Sequence, residues 1–287
     1  MNAKQIELIT KLFSNIPRNL LYLIGGFIGL ILPFILTKRT KILYSNYKRI
    51  APDKNHLRLA QLEFQHIVWN YIDFFKIHNF SKKSVFSLCP YIPKKTIKIT
   101  KNSKGAVMIC AHLGNFDFAS SYISSFSELQ TVSVAESDGP GEELFNVFSN
   151  YRSEFGMKIL RLEDKMTVYN LYRLLKEGGL IILLGDRDIL GNGREEDFFK
   201  FKSKFPIGPE YLALKQKKAV IFGIVVRNPR KRRFYKLVEI NIPLNDLFSI
   251  DVNNAINILL KRYIFILETM IRKYPEQWLV FQPPWIE

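Results

Sequence analysis

The sequence predicts one α/β domain with a central, partly parallel sheet flanked by helices, preceded by an apolar N-terminal segment. Short apolar runs of strand length alternate along the chain with longer stretches of helical periodicity. The 287 residues are about as many as a single hydrophobic core accommodates. An uncharged apolar run over residues 20–36 stands apart from this alternation. We therefore expect a membrane-anchoring segment over residues 1–45 and a catalytic domain over residues 46–287.

The apolar run is at the lower edge of the roughly 20 residues that cross a hydrocarbon core. A spanning helix, a helix that enters one leaflet with a break at Pro33, and a buried core helix all remain open. A cleaved signal peptide is disfavoured, because lysines and arginines follow the run directly. The heavier positive charge on that side predicts a location at the cytoplasmic (inner) membrane, with the catalytic domain facing the cytoplasm.

The elements of the domain follow in order. Apolar positions at helical spacing predict a long helix over residues 56–80, and a buried strand follows over 105–110. Further strands are predicted over 131–134, 180–184, 220–226, 234–242 and 278–281. Helices are predicted between them over 142–155, 166–176, 208–217 and 252–273.

The net charge is +16, from 42 Lys+Arg against 26 Asp+Glu, yet 47% of the residues are hydrophobic. This composition excludes a disordered basic tail. Basic clusters over 94–104, 200–204 and 227–233 are each consistent with a solvated surface, the last as a hairpin loop. Together with the apolar N-terminus they favour an anionic membrane surface, and no motif supports nucleic-acid binding. The two cysteines and four histidines lack metal-ligand spacing, so no metal site is expected.

The strongest candidate for chemistry is His112, which directly follows the predicted strand 105–110. Gly114 allows a turn, Asn115 is a plausible N-cap, and Asp117 falls in the first turn of a helix. A histidine oriented by a carboxylate is a general base for a hydroxyl. No Gly-x-Ser-x-Gly elbow is present, which favours direct transfer to the hydroxyl. Cys110 is better explained by packing than as a nucleophile, since residues two apart on a strand rarely hydrogen-bond directly.

A second polar group, Asp186, Arg187 and Asp188, follows the predicted strand 180–184. The ends of parallel strands meet at one edge of a sheet, so these residues are expected to line the same edge as His112. Arg187 either holds a phosphate or oxyanion, or forms an internal pair that fixes the loop.

Five segments resemble the bacterial lipid A biosynthesis acyltransferase family, which includes lauroyl and myristoyl transferases and phosphatidylinositol mannoside acyltransferases. They read AHLGNFD, VAESDGPGEELFNVFSNYRSEFGMKIL, GGLIILLGDRD, EEDFFKFKSKFPIGPEYLALKQKKAVIFG and YPEQWLVFQPPW. The resemblance implies a glycerolipid-acyltransferase-like fold, with the HxxxxD/E pair at His112 and Asp117. It places a further active-site acid at Asp186, where the mannoside branch typically has glutamate, and Arg152 and Glu136 near the polar end of the acceptor.

The expected activity is therefore that of an O-acyltransferase of glycolipid biosynthesis. Acyl carrier protein or acyl-CoA is expected as donor, a membrane glycolipid as acceptor, and no resident cofactor. Phe198 and Phe199 either line an acyl tunnel or belong to the core. Two alternatives remain: a lysophospholipid or glycerol-phosphate acyltransferase, which uses the same HxxxxD chemistry, and a non-catalytic basic protein of the membrane surface.

Overall fold

The structure is a computed structural model that describes residues 3–77, 80–126, 130–137 and 141–286. The strands are β1 (Ala106–Cys110), β2 (Thr131–Ala135), β3 (Met157–Arg161), β4 (Leu180–Leu184), β5 (Arg194–Phe198), β6 (Phe201–Phe205), β7 (Ala219–Arg227) and β8 (Tyr235–Ile242). The helices are α1 (Ala3–Asn15), α2 (Arg18–Ile35), α3 (Thr37–Ile50), α4 (His56–Lys76), α5 (Lys82–Leu88), α6 (Lys94–Asn102), α7 (Phe116–Ser125), α8 (Glu142–Ser153), α9 (Thr167–Lys176), α10 (Gly208–Lys215) and α11 (Val252–Lys273).

Six of the described strands form the central sheet in the order β3-β2-β4-β1-β7-β8. β8 is antiparallel to β7, and the other pairs are parallel. β1 and β4 lie inside the sheet, and their uninterrupted apolar sequences, AVMIC and LIILL, are typical of parallel strands that helices cover on both faces. Two large hydrophobic clusters flank the sheet. The predicted α/β class is confirmed.

Several elements differ from the sequence prediction. β3 was not predicted, because its sequence MKILR has charged residues at two of five positions. The antiparallel hairpin β5–β6 was also missed, since β5 (REEDF) has four charged residues in a row and lysines alternate along β6 (FKSKF). The predicted strand over 278–281 is instead an extended segment that forms one isolated bridge, between Trp278 and Leu113. The predicted helix 56–80 is α4, and residues 78 and 79 lie outside the described residues.

The apolar N-terminal run forms α2, which packs lengthwise against α4. Its contact face contains three glycines, and a Cβ at Gly29 would come within 2.5 Å of the Gln65 Cα. Gln65 Nε2 donates to the Gly26 carbonyl at 2.7 Å. By length and composition α2 is apolar enough to cross a membrane. The helix continues through Pro33 to Ile35, and the predicted domain boundary at residue 45 falls within α3.

The opposite face of α2 is unusually apolar for a protein surface. Leu23, Phe27 and Phe34 are 72%, 66% and 62% exposed. Contiguous exposed apolar surface of this kind marks an interaction site. The helix thus has one face fixed to the domain and one face without a protein partner among the described residues.

Candidate active site

His112 and Asp186 lie side by side at the carboxyl edge of the sheet. In the parallel pair of β1 and β4, Cys110 is opposite Leu184, so the residues two positions further on are also opposite each other. His112 Nδ1 and Asp186 Oδ1 are 2.8 Å apart. The His112 backbone N–H donates to Asp186 Oδ2 at 2.9 Å, and the Trp278 indole N–H donates to the same oxygen at 3.1 Å. The carboxylate therefore holds both the ring and the main chain of His112.

The charge of Asp186 is maintained despite complete burial of its side chain. Burial by itself raises the pKa of this carboxyl group, but the facing His112 ring, the His112 hydrogen bonds and the Trp278 indole outweigh burial, so the pKa is lower than its ordinary value. A carboxylate on Nδ1 stabilises the tautomer with its proton on that nitrogen. Nε2 is then the ring nitrogen available to a substrate hydroxyl.

Asp117, expected to orient the histidine, has another partner. It lies in the first turn of α7, and its Oδ1 accepts a hydrogen bond from Arg152 Nε of α8 at 2.8 Å. The expectation that Asp117 supplies the carboxylate on the His112 ring is therefore corrected, because the in-register neighbour Asp186 occupies Nδ1. Asp117 and Arg152 still line the same cavity as His112.

The turn between β1 and α7 is held by close backbone contacts. Gly114 has a φ of 83°, and a Cβ there would come within 2.2 Å of the Val225 carbonyl oxygen, so only glycine fits. The Gly114 N–H donates to the Gln277 carbonyl at 2.8 Å, and its own carbonyl accepts from Asn70 Nδ2 at 2.9 Å. The predicted N-cap is confirmed, since Asn115 Oδ1 accepts from the Phe118 N–H at 3.0 Å.

A buried polar network, which no local sequence pattern indicates, lies beneath this turn. Asn115 Nδ2 donates to the Tyr235 hydroxyl at 2.7 Å, and Arg227 Nη2 donates to the same hydroxyl at 2.8 Å. Arg227, which the sequence analysis grouped with a surface cluster, is 1% exposed. The signal for its burial was its position directly after the uninterrupted apolar run 220–226, before any turn residue.

The network continues to the start of α2. The buried Asp73 carboxylate of α4 accepts from Arg18 Nε at 2.7 Å and from the Tyr22 hydroxyl at 2.5 Å. Arg227 Nη1 also donates to the Tyr22 hydroxyl. One carboxylate thus joins the N-terminal helix to the strand that supports the His112 turn.

A cavity of about 860 Å³ opens at the carboxyl edge of the sheet beside His112. This volume falls within the range of about 300–1,000 Å³ that is usual for ligand sites. Its polar wall brings together most of the predicted site residues, namely His112, Asp117, Glu136, Arg152, Arg187 and Asp188. Apolar side chains, including Ile123, Phe145, Met157, Leu171 and Leu212, form the remaining walls.

Two loop residues of the predicted site have protein partners. Arg187 Nη2 donates to Gln282 Oε1 at 2.5 Å. Both Asp188 carboxylate oxygens accept backbone N–H groups, from Gly191 at 3.1 Å and Gly193 at 2.8 Å. Asp188 therefore shapes the loop after β4, although it also lines the cavity.

Phe198 and Phe199 do not line the cavity, which corrects their assignment to an acyl tunnel. Phe198 packs against Phe205, Trp278 and Trp285. The Phe199 ring packs against Phe198 on one side and lies beneath the Arg272 guanidinium group. The physical reason is the hairpin: β5 and β6 turn at these residues and direct the rings into the core. Pro206, which follows the hairpin, does reach the cavity.

Cys110 is buried next to the site, and its chemistry is suppressed there. Burial and the nearby Asp186 charge raise the pKa of its thiol to about 12. Since the thiolate is the nucleophilic form, this cysteine is inert at neutral pH.

Comparison with known proteins agrees with this architecture. Residues 7–287 match the family model of the bacterial lipid A biosynthesis acyltransferases. Phosphatidylinositol mannoside acyltransferase of Mycobacterium tuberculosis is 28% identical over 184 residues, which cover 63% of this chain and 55% of that protein. The protein of the same name from Mycolicibacterium smegmatis is 29% identical over 189 residues, 64% of this chain and 57% of the relative. The matched stretch thus spans little more than half the length of these relatives. Because the family model covers nearly the whole chain, the protein belongs to the bacterial lipid A biosynthesis acyltransferase family.

Proposed function

We propose that this protein is an O-acyltransferase that moves a fatty acyl chain from a carrier thioester to a hydroxyl of a membrane glycolipid. The observation that supports it most is the His112 ring, fixed through Nδ1 by Asp186, at the polar wall of a largely apolar cavity. Family membership points to the same reaction class. The names of the relatives favour a phosphorylated saccharide lipid as acceptor.

The proposed reaction is direct transfer. His112 Nε2 removes the proton of the acceptor hydroxyl while the oxygen attacks the thioester carbonyl, and the Asp186 carboxylate stabilises the imidazolium ion that forms. The tetrahedral intermediate collapses with cleavage of the carbon–sulfur bond. The departing thiolate takes the proton from the imidazolium ion, which returns the ring to its starting state. The inert Cys110 is consistent with the absence of an acyl-enzyme step.

The donor's acyl chain is assigned to the apolar part of the cavity. Each buried methylene contributes about 0.8 kcal/mol, so a twelve-carbon chain supplies on the order of 9 kcal/mol. Ile123 and Met157, both lining residues that are nearly inaccessible to solvent, replace Phe198 and Phe199 as candidates for chain-length selection. The chain has a large positive net charge, which suits either an acidic acyl carrier protein or the phosphates of acyl-CoA.

The acceptor's polar end is assigned to the polar residues of the cavity lining, which include Glu136 and the Arg152 side chain held by Asp117. α2 is assigned to one leaflet of the cytoplasmic membrane. Its packing along α4 keeps one face on the domain, and its exposed face supplies the apolar surface that a lipid interface binds.

The test uses the full-length protein with acyl-carrier-protein and acyl-CoA donors of ten to sixteen carbons. Saccharide lipids and lysophospholipids are offered as acceptors in parallel, and the products are identified by mass spectrometry. Acyl transfer to a saccharide lipid that falls about 10²–10⁴-fold in His112→Ala supports the proposal. Transfer to lysophospholipids alone supports the alternative reaction, and an acyl adduct on Cys110 contradicts direct transfer.

A further inference from the structure

Two arginines are supported by residues 281 and 282, which follow Leu279 of the cavity lining: Arg187, which lines the cavity itself, and Arg39, which does not. Arg39, in the first turn of α3, places its guanidinium carbon 5.6 Å from the Phe281 ring centroid. The next residue, Gln282, accepts the hydrogen bond from Arg187. Phe281 itself packs against Phe64 of α4. Phe281 and Gln282 therefore contact the guanidinium groups of Arg39 and Arg187, which come from two distant parts of the chain.

Phe281 and Gln282 belong to the segment that contacts the turn at His112. Leu279, two residues before Phe281, lines the cavity and donates its N–H to the His112 carbonyl at 2.8 Å. The electrostatics of Tyr71 provide a separate observation on the position of Arg39. Burial and the Asp117 charge raise the pKa of the Tyr71 hydroxyl, and the Arg39 and Arg152 charges lower it. The Tyr71 hydroxyl is thus within electrostatic range of Arg39 as well as of Asp117 and Arg152.

The three arginines differ in their pairing. Arg152 has its counter-charge in Asp117. Among the ion pairs of the described residues, none includes Arg39 or Arg187. Within the part of the chain that the structure describes, the side-chain partner of Arg187 is a neutral amide. A guanidinium fork without a carboxylate retains its charge and donors for a phosphate.

The position of Arg39 relative to α2 indicates where such a phosphate would lie. Arg39 follows Ile35, the last residue of α2, by four residues, and both Phe34 and Ile35 are well exposed. If the exposed face of α2 lies in the acyl region of a leaflet, Arg39 is at the depth of the lipid phosphates.

We propose, on the basis of the proposed function, that Arg39 and Arg187 form a phosphate-binding site at the cavity mouth that positions a phosphorylated substrate against His112. Two sources carry this chemistry: the phosphate of the glycolipid acceptor and the phosphopantetheine phosphate of the donor. Holding either at the rim leaves the adjacent reacting group free to enter the cavity.

The test measures kcat and KM for Arg39→Gln and Arg39→Lys with two matched substrate pairs. The acceptors are a phosphodiester-linked saccharide lipid and the same saccharide on diacylglycerol. The donors are acyl-phosphopantetheine and acyl-pantetheine, which lacks the phosphate. The control is Arg49→Gln, because Arg49 is on the same helix and also stacks on aromatic rings, but on those of Phe201 and Trp285 rather than on Phe281.

We expect Arg39→Gln to raise KM about tenfold for the phosphorylated member of one pair only, with kcat nearly unchanged. That loss corresponds to about 1.4 kcal/mol. Arg39→Lys should retain part of the affinity, and Arg49→Gln should change nothing. An effect within the acceptor pair identifies the lipid phosphate, and an effect within the donor pair identifies phosphopantetheine. The proposed phosphate site is wrong if Arg39→Gln changes KM equally for all four substrates, or for none of them. A wild-type protein without acyl transfer refutes the proposed function itself.

Discussion

At the residue scale, the two acidic residues near His112 have separable tasks. Asp186 contacts the ring and Asp117 contacts Arg152. Replacing Asp186 by Asn removes the anion and favours the wrong tautomer, so we expect kcat to fall about 10²–10⁴-fold. Asp117→Asn should act mainly through Arg152 and raise the acceptor KM. Steady-state kinetics with both variants decide the point, and a larger loss of kcat in Asp117→Asn would reverse the assignment.

Glu210, in the first turn of α10, predicts a pH dependence of stability. Burial raises the pKa of its carboxyl group to about 8, and Oε2 has no hydrogen-bond partner among the described residues. Because the folded pKa exceeds the unfolded value, unfolding releases a proton, and stability is lost as the pH rises from about 4.5 to 8. Glu210→Gln should therefore raise the Tm clearly at pH 8 and much less at pH 5.

The control for this prediction is the exposed Glu143 of α8. Glu143→Gln should leave the Tm nearly unchanged at both pH values. Thermal unfolding monitored by circular dichroism at pH 5 and pH 8 is sufficient. An equal shift of Glu210→Gln at both pH values would show that packing, not protonation, controls this position.

The cavity walls predict which residues select the acyl chain. Met157→Ala or Ile123→Ala enlarges an apolar wall, so the preferred donor should become longer by a few carbons or the preference should broaden. Phe199→Ala is the matched control: it removes an aromatic ring outside the cavity and should lower the Tm with an unchanged chain profile. Competition among donors of ten to sixteen carbons measures the profile. If Phe199→Ala alone shifted the chain-length profile, the β5–β6 hairpin would again be the candidate wall of the acyl tunnel.

At the scale of elements, the network around Asp73 joins α2, α4 and β7. Asp73 is completely buried between Arg18 and Arg227. Asp73→Ala leaves the buried Arg227 charge without its anion, and such a loss costs about 3–5 kcal/mol. Denaturant unfolding should show this decrease. Asp246→Ala, which breaks an exposed ion pair with Arg262, should show little change, and equal effects of the two variants would contradict the role of the network.

At the scale of the whole molecule, the two faces of α2 predict different consequences. Replacing Leu23 and Phe27 by Ser removes exposed apolar area, and each such side chain contributes about 1.5–3 kcal/mol when buried. Binding to anionic liposomes should fall at least tenfold with an unchanged Tm. Gly29→Leu, on the face packed against Gln65, should instead lower the Tm. Unchanged liposome binding in the double variant would refute the membrane assignment.

Removing residues 1–41 is a blunter test of the same assignment. Such a truncation deletes Arg18 and Tyr22 from the Asp73 network and uncovers the face of α4 that receives the α2 glycines. A loss of activity would then combine a membrane effect with a folding effect. Point substitutions on the exposed face keep the two apart.

Much of the architecture follows from local sequence patterns. The uninterrupted apolar runs before His112 and before Asp186 predicted two buried strands, and the rule that parallel strands end at one edge placed both residues together. Gly114 and Asn115 predicted the turn and its cap. An uncharged apolar run that is followed directly by basic residues predicted a helix at a membrane. Apart from the rule on parallel strands, these inferences use only neighbours along the chain.

The sequence by itself thus determined the fold class and the edge of the sheet at which His112 and Asp186 lie. Only the tertiary structure decided which carboxylate contacts the histidine, because the register of β1 on β4 brings Asp186, not Asp117, to Nδ1. It likewise decided that Arg227 is buried and that Phe198 packs in the core. Periodicity is a property of a few consecutive residues, whereas strand register and the partners of a buried charge depend on residues far apart in the chain.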